Sequence, residues 1–170
     1  GKQQALAKLR NRVPGLQADI DPLLKSPNFI SSTHGFLTGP NGEGGAVSAN
    51  AARALPDNDP HRSIKAFLND NAGVFGHGAE VLTGAKINRD FVTAHNGLKT
   101  TIWQQQVDGI PVHEALMVGH VTKRGELVNL STRFLPDAVK AADAGTANRA
   151  AAQSAPAISA AEAIVNAAKD

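Results

Sequence analysis

The sequence predicts an α+β domain in which one amphipathic helix lies across a four-stranded antiparallel meander. Two observations carry this. After Asp57, residues Ile64, Phe67, Leu68, Asn71 and Phe75 recur on one face at helical spacing before Gly76 closes the pattern. Four runs rich in Thr, Val and Ile then follow at 86–94, 99–107, 110–122 and 127–134, separated by Asn96-Gly97, Asp108-Gly109 and Lys123-Arg124-Gly125. Asn-Gly and Asp-Gly suit hairpin turns that need positive φ. A helix and a meander with one apolar face each bury both by packing together.

Each element has its own signal. Lys2 to Arg12 spaces Leu6, Leu9 and Val13 as a short amphipathic helix, which Pro14-Gly15 stops. From Leu16 to Leu55 the chain carries Pro22, Pro27, Pro40 and the run Thr38-Gly-Pro-Asn-Gly-Glu-Gly-Gly45 with no sustained period, which reads as an extended arm. Asp59-Pro60 reads as N-cap and first turn of a helix of about four turns. With the meander it makes a cystatin-like arrangement whose core is expected to hold Ile64, Phe67, Leu68, Phe75 and Val128. Leu135-Pro136-Asp137 ends the last strand, and an Ala-rich tract without an apolar face reads as a linker. Ser159-Ala-Ala-Glu162 is a capping box that opens a second helix carrying Ala163, Ile164 and Ala167. The expected division is therefore 1–56, helix and arm; 57–136, the α+β domain; 137–157, linker; and 158–170, the start of a further module. The natural protein is expected to continue past Asp170, and Gly1 reads as a processed or trimmed start.

Composition narrows the function classes. The 170 residues allow one ordinary core with appendages, and with one Trp, six Phe and no Tyr that core must be compact. The absence of cysteine removes disulfides, thiolate zinc sites and Cys nucleophiles. A formal charge of +2, with basic and acidic residues interspersed, gives no support to a nucleic-acid role. No run is long and apolar enough for a membrane span.

No constellation reads as catalytic. His113-Glu114 invites comparison with the His-Glu-x-x-His zinc helix, but position 117 is Met and the pair sits in a strand run. His34, His61, His77, His95 and His120 lack metal-ligand spacing, so no metal or cofactor is expected. Ser31, Ser32, Ser63 and Ser131 lack a nucleophile-elbow context. The glycines at 39–45 have neither the preceding strand nor the Gly-Lys-Ser/Thr start of a phosphate loop. Asp57 and Asp59 are explained by capping. Trp103 and Gln104-Gln105-Gln106 are the residues that patterning explains least. Either Trp103 or Ile102 faces the helix while the glutamines decorate the outer face, or the strand is a docking surface whose amides supply adaptable hydrogen bonds.

The stretch Trp103-Gln-Gln-Gln-Val-Asp-Gly-Ile-Pro-Val112, with Ala115-Leu-Met-Val-Gly-His-Val121, Gly125-Glu-Leu-Val128 and Leu130-Ser131, resembles the fungalysin/thermolysin propeptide motif. The preceding helix, with Phe67-Leu68 and Phe75-Gly76, is similar to the helix of that module, so the resemblance spans about Asp57 to Pro136. More loosely, Pro14-Gly-Leu-Gln-Ala-Asp19 and Gly35-Phe-Leu-Thr-Gly-Pro40 resemble the preceding arm, and Ser159-Ala-Ala-Glu-Ala163 resembles the start of a PepSY-like module. His113 and Glu114 depart from the small residues common in the family. The resemblance implies a non-catalytic propeptide of a secreted or cell-envelope zinc metallopeptidase. Such a propeptide inhibits and helps fold the catalytic domain, in cis or in trans. On that reading Trp103, Gln104, Gln106, Val112 and His113 are expected near the partner surface. The competing readings are a stand-alone extracellular protein-binding or protease-inhibitor module of cystatin-like fold and, with few aromatics to line a pocket, a small-ligand carrier.

Overall fold

Alternation along the last four strand runs builds the larger part of a six-stranded, wholly antiparallel sheet in the computed structural model, which describes residues 1–154 and 158–169. In chain order the elements are α1 (Lys2–Arg12), β1 (Leu16–Ile20), β2 (Pro27–Ser32), α2 (Ala49–Arg53), α3 (Arg62–Asp70) and α4 (Ala72–Phe75), then a 3-10 turn at Ala79–Leu82. They continue with β3 (Lys86–Val92), β4 (Lys99–Val107), β5 (Ile110–Val121), β6 (Leu127–Thr132), α5 (Ala138–Gly145), α6 (Arg149–Ser154) and α7 (Ala160–Ala167). The strand order is β1-β2-β6-β5-β4-β3. The expected meander is β3 to β6, and β2 and β1 extend it beyond β6. Four strands thus become six because the segment expected as an arm is woven into the sheet, Ile30 pairing with Leu130 on one side and Ala18 on the other. Ile30, Leu37, Ala46 and Ala52 from that segment are fully buried. Residues 1–136 form one compact unit, so the boundary expected at 56/57 falls inside it.

Helices α1, α3 and α4 contribute to the core beneath the sheet through Leu6, Leu9, Ile64, Phe67, Leu68, Val74 and Phe75. The helix can come close because residue 119 is glycine: a Cβ there would lie 2.5 Å from Ile64 Cδ1. Burial of each large side chain contributes roughly 2 to 3 kcal/mol. The expected four-turn helix is two pieces. Asn71, itself buried, donates through Nδ2 to Phe67 O and Ala46 O, both at 2.9 Å, and accepts from Arg12 Nη2 at 3.0 Å. A side-chain amide that competes for backbone groups ends a helix. The start also moves: α3 is N-capped by His61, and Asp59 instead accepts from the His61 amide at 2.8 Å in the preceding turn. Val128, expected in the core, is only half-buried. The register slips between His120 and Val121 as β5 meets β6, and Leu127 and Leu130 take the inward places.

The tract expected as a linker is helical over α5 and α6. Alanine is the strongest helix former, and Asp137 caps α5 by accepting from the Lys140 amide at 2.9 Å. Residues 155–157 of that expected linker, and Asp170, lie outside the described residues. In α7 the predicted capping box is formed: Glu162 N donates to Ser159 Oγ at 3.2 Å and Ser159 N to Glu162 Oε2 at 2.8 Å.

Candidate functional site

On β4 the residues Thr101, Trp103, Gln105 and Val107 face inward and are buried. Trp103 is 2% exposed and packs edge-on against His61, ring centroids 4.9 Å apart, so it is removed from the expected partner surface. The large ring fills the space under the start of α3, the first of the two placements the patterning allowed. Burial, reinforced by Lys99 and Lys65, lowers the His61 pKa.

Two of the glutamines bond to the backbone through their side chains. Gln105, the one glutamine turned inward, donates from Nε2 to Leu135 O and accepts from Leu135 N through Oε1, both at 2.9 Å, so its side chain pairs with the backbone as a strand would. Gln104 and Gln106 are half-buried on the other face. The register explains Gln104. It pairs with Leu116 while Gln106 pairs with Pro111, so Val112 to Ala115 stand opposite Gln105 alone and loop out as a large bulge. The Gln104 amide donates into that loop, with Nε2 at 2.8 Å from Val112 O, 3.0 Å from Ala115 O and 3.1 Å from Gln105 O. The expected adaptable docking amide is spent on holding a loop open.

The loop displays what it holds. The His113 side chain is 95% exposed, and Glu114, at φ 55°, sits in the left-handed region that non-glycine residues rarely adopt. Glu114 accepts from Arg133 Nη1 at 3.1 Å. Beside it is the β1–β2 turn, where the Asp21 carboxylate accepts from the Leu24 and Leu23 amides, each at 2.8 Å. Those bonds lower the Asp21 pKa and hold Leu23 out at 85% exposure. A hollow of about 200 Å³ separates the turn from the bulge, with Leu24, Val112, Glu114 and Arg133 in its walls. Of the expected surface residues, Val112 and His113 meet here; Gln104 braces them from behind. Asp21, Leu23 and Arg133 were not singled out by the sequence reading, and Glu114 stood out there only as half of the His113-Glu114 pair. One signal for the bulge is legible: Pro111, His113 and Glu114 crowd the start of a strand run that is mostly apolar from Ala115 on.

The site offers apolar side chains ringed by opposite charges on a fixed backbone. Among the described residues, no group of three or more His, Asp or Glu is placed to hold a metal ion, and no helix is long and apolar enough to cross a membrane.

Sheet, bulge and turn belong to one α+β module. Residues 84–134 match the family described as the Fungalysin/Thermolysin Propeptide Motif, covering β3 to β6 and the whole bulge. Comparisons with curated proteins and with solved structures found no match.

Proposed function

We propose that this chain is part of the propeptide of an exported zinc metallopeptidase precursor, keeping the peptidase domain inactive and assisting its folding. The observation that carries the reading is the motif match at 84–134. The helix laid on β3 to β6 is the cystatin-like element of this reading, and α7 with its capping box opens a PepSY-like module. The binding surface consists of Val112, His113, Leu23, Glu114 and Arg133, with Gln104 as brace and Gln106 at its margin. No residue of it has to perform chemistry. A partner that binds the folded enzyme stabilises it by mass action, and covalent linkage keeps the effective concentration high. The setting is extracytoplasmic, as for the secreted peptidases of the motif's name.

The test is to purify the metallopeptidase domain encoded in the same reading frame and titrate its activity with this chain in trans. The expected result is saturable inhibition that the paired change Leu23→Ala, His113→Ala weakens roughly tenfold, with the unfolding midpoint unchanged. A peptidase neither inhibited nor helped to refold would refute the reading. A frame without a peptidase would leave the stand-alone protein-binding module.

A further inference from the structure

A groove between α1 and the β1–β2 turn combines an apolar floor with a cationic rim. Its floor is apolar, made by Leu6 of α1, Val74 of α4, Pro27 at the start of β2 and Ile20 at the end of β1, the last 44% exposed. Its rim is cationic, with Lys2 and Arg10 from α1 and Lys25 from the turn, and no carboxylate is among the lining residues. Over the whole chain the charges nearly balance, 17 basic against 15 acidic. Arg10 and Lys25 are exposed, and neither is in an ion pair among the described residues.

The walls are fixed in advance. Lys2 Nζ donates to Leu24 O at 2.9 Å and ties the helix to the turn. Asp21, at the start of the turn, has its carboxylate turned to the amides of Leu23 and Leu24 while still attracting Lys25. Lys25 is held at φ 55° with its amide on Asp21 O at 2.9 Å.

Like charges gathered over an apolar floor repel one another and gain from an anion more than they would in open water. A bare phosphate or sulfate would leave the floor uncovered. A neutral apolar group would leave the cations unmatched. The volume, about 320 Å³, admits one or two side chains and is too small for a long acyl chain. The groove also ends on β1, an edge strand paired only with β2, whose outer backbone groups face a would-be extended segment.

We propose that this groove is a second binding site that takes an acidic polypeptide segment, seating an apolar side chain on Leu6, Ile20 and Val74 and a neighbouring carboxylate between Arg10 and Lys25. The site shares the β1–β2 turn with the bulge surface but none of its lining residues, and stands or falls independently of the peptidase reading.

The test uses the whole chain labelled with nitrogen-15. It is titrated with acetyl-Leu-Asp-Leu-Glu-amide, with acetyl-Leu-Lys-Leu-Lys-amide and with inorganic phosphate, at low and at high salt. Saturable shifts of the Leu6, Ile20 and Lys25 amides with the acidic peptide alone are expected, weakening as salt rises. Arg10→Glu with Lys25→Glu should weaken binding roughly tenfold or more. Both positions are exposed, so amide shifts distant from the groove should stay unchanged. The proposal is overturned by equal shifts with the basic peptide, by phosphate alone reproducing them, by shifts centred elsewhere, or by charge reversal without effect. It is overturned as well if anionic phosphatidylglycerol vesicles bind the chain in the same place and the acidic peptide does not.

Discussion

The two halves of β5 behave as different materials. From Met117 to Val121 the strand has β4 on one side and β6 on the other, with Met117 opposite both Trp103 and Thr132 and Gly119 opposite both Thr101 and Leu130. Ala115 and Met117 are buried, and Gly119 lies beneath Ile64. From Ile110 to Glu114 the strand has outrun β6, which ends at Thr132, and only β4 remains beside it. There the register slips, Ile110 is 62% exposed and His113 points into solvent. A strand flanked on both sides and covered by a helix has one register that buries its apolar set. Flanked on one side, it is free to bulge, and its unpaired carbonyls must then be satisfied by side chains, here the amide of Gln104.

The sharpest way to break this comparison is to shorten one apolar side chain in each half. Met117→Ala, at a fully buried position, should destabilise the fold by about 2 to 5 kcal/mol. Ile110→Ala should change it by no more than about 0.5 kcal/mol. Denaturant unfolding at constant m-value reads both. Similar losses in the two variants would mean that the exposed half is as much a part of the core as the buried one.

The joint between the halves is the next largest effect. Gln105→Met keeps the length of the side chain but leaves Leu135 N–H and C=O without the partners they have now at 2.9 Å. Unpaired, partly buried groups cost about 1 to 3 kcal/mol each, and water relieves some of that here, so a loss of roughly 2 kcal/mol is expected. Amide exchange should rise at Leu135 and its neighbours before it rises at Met117. Uniform acceleration across the sheet would show that Gln105 supports the whole core and not this joint.

How much of this the sequence discloses depends on how far apart the interacting residues lie. The β3 to β6 meander is legible because its signals are local: Asp108 and Gly109 have positive φ as their turn demands, and Ile64, Phe67, Leu68 and Phe75 are buried as their spacing implies. The strands β1 and β2 were passed over, although Leu16, Ala18 and Ile20 alternate with Gln17 and Asp19. The five residues include a small Ala, and nothing local says that the partner of β2 is β6, about a hundred residues later. The site is legible in part. Val112 and His113 stand out as residues, but the bulge that raises them is a register property of two strands. The roles of Gln104 and Gln105 rest on carbonyls that only the folded chain brings within reach.

The smallest effect concerns Glu114. Its backbone at φ 55° favours glycine, so Glu114→Gly relieves strain, while it also removes the ion pair with Arg133 and adds freedom to the unfolded chain. An exposed pair of this kind is worth no more than about 1 kcal/mol, and relief of a left-handed conformation is of similar size. The two nearly cancel, and the unfolding free energy should move by less than about 0.5 kcal/mol. What should change is the surface: the carboxylate that orients Arg133 is gone, so binding of the peptidase domain should weaken while the side-chain amide shifts of Gln104, the brace of the bulge, stay in place. A pronounced stabilisation with full binding would indicate that Glu114 is an incidental cost of the bulge. Lost binding at unchanged stability would show that the strained residue is kept for the face it presents.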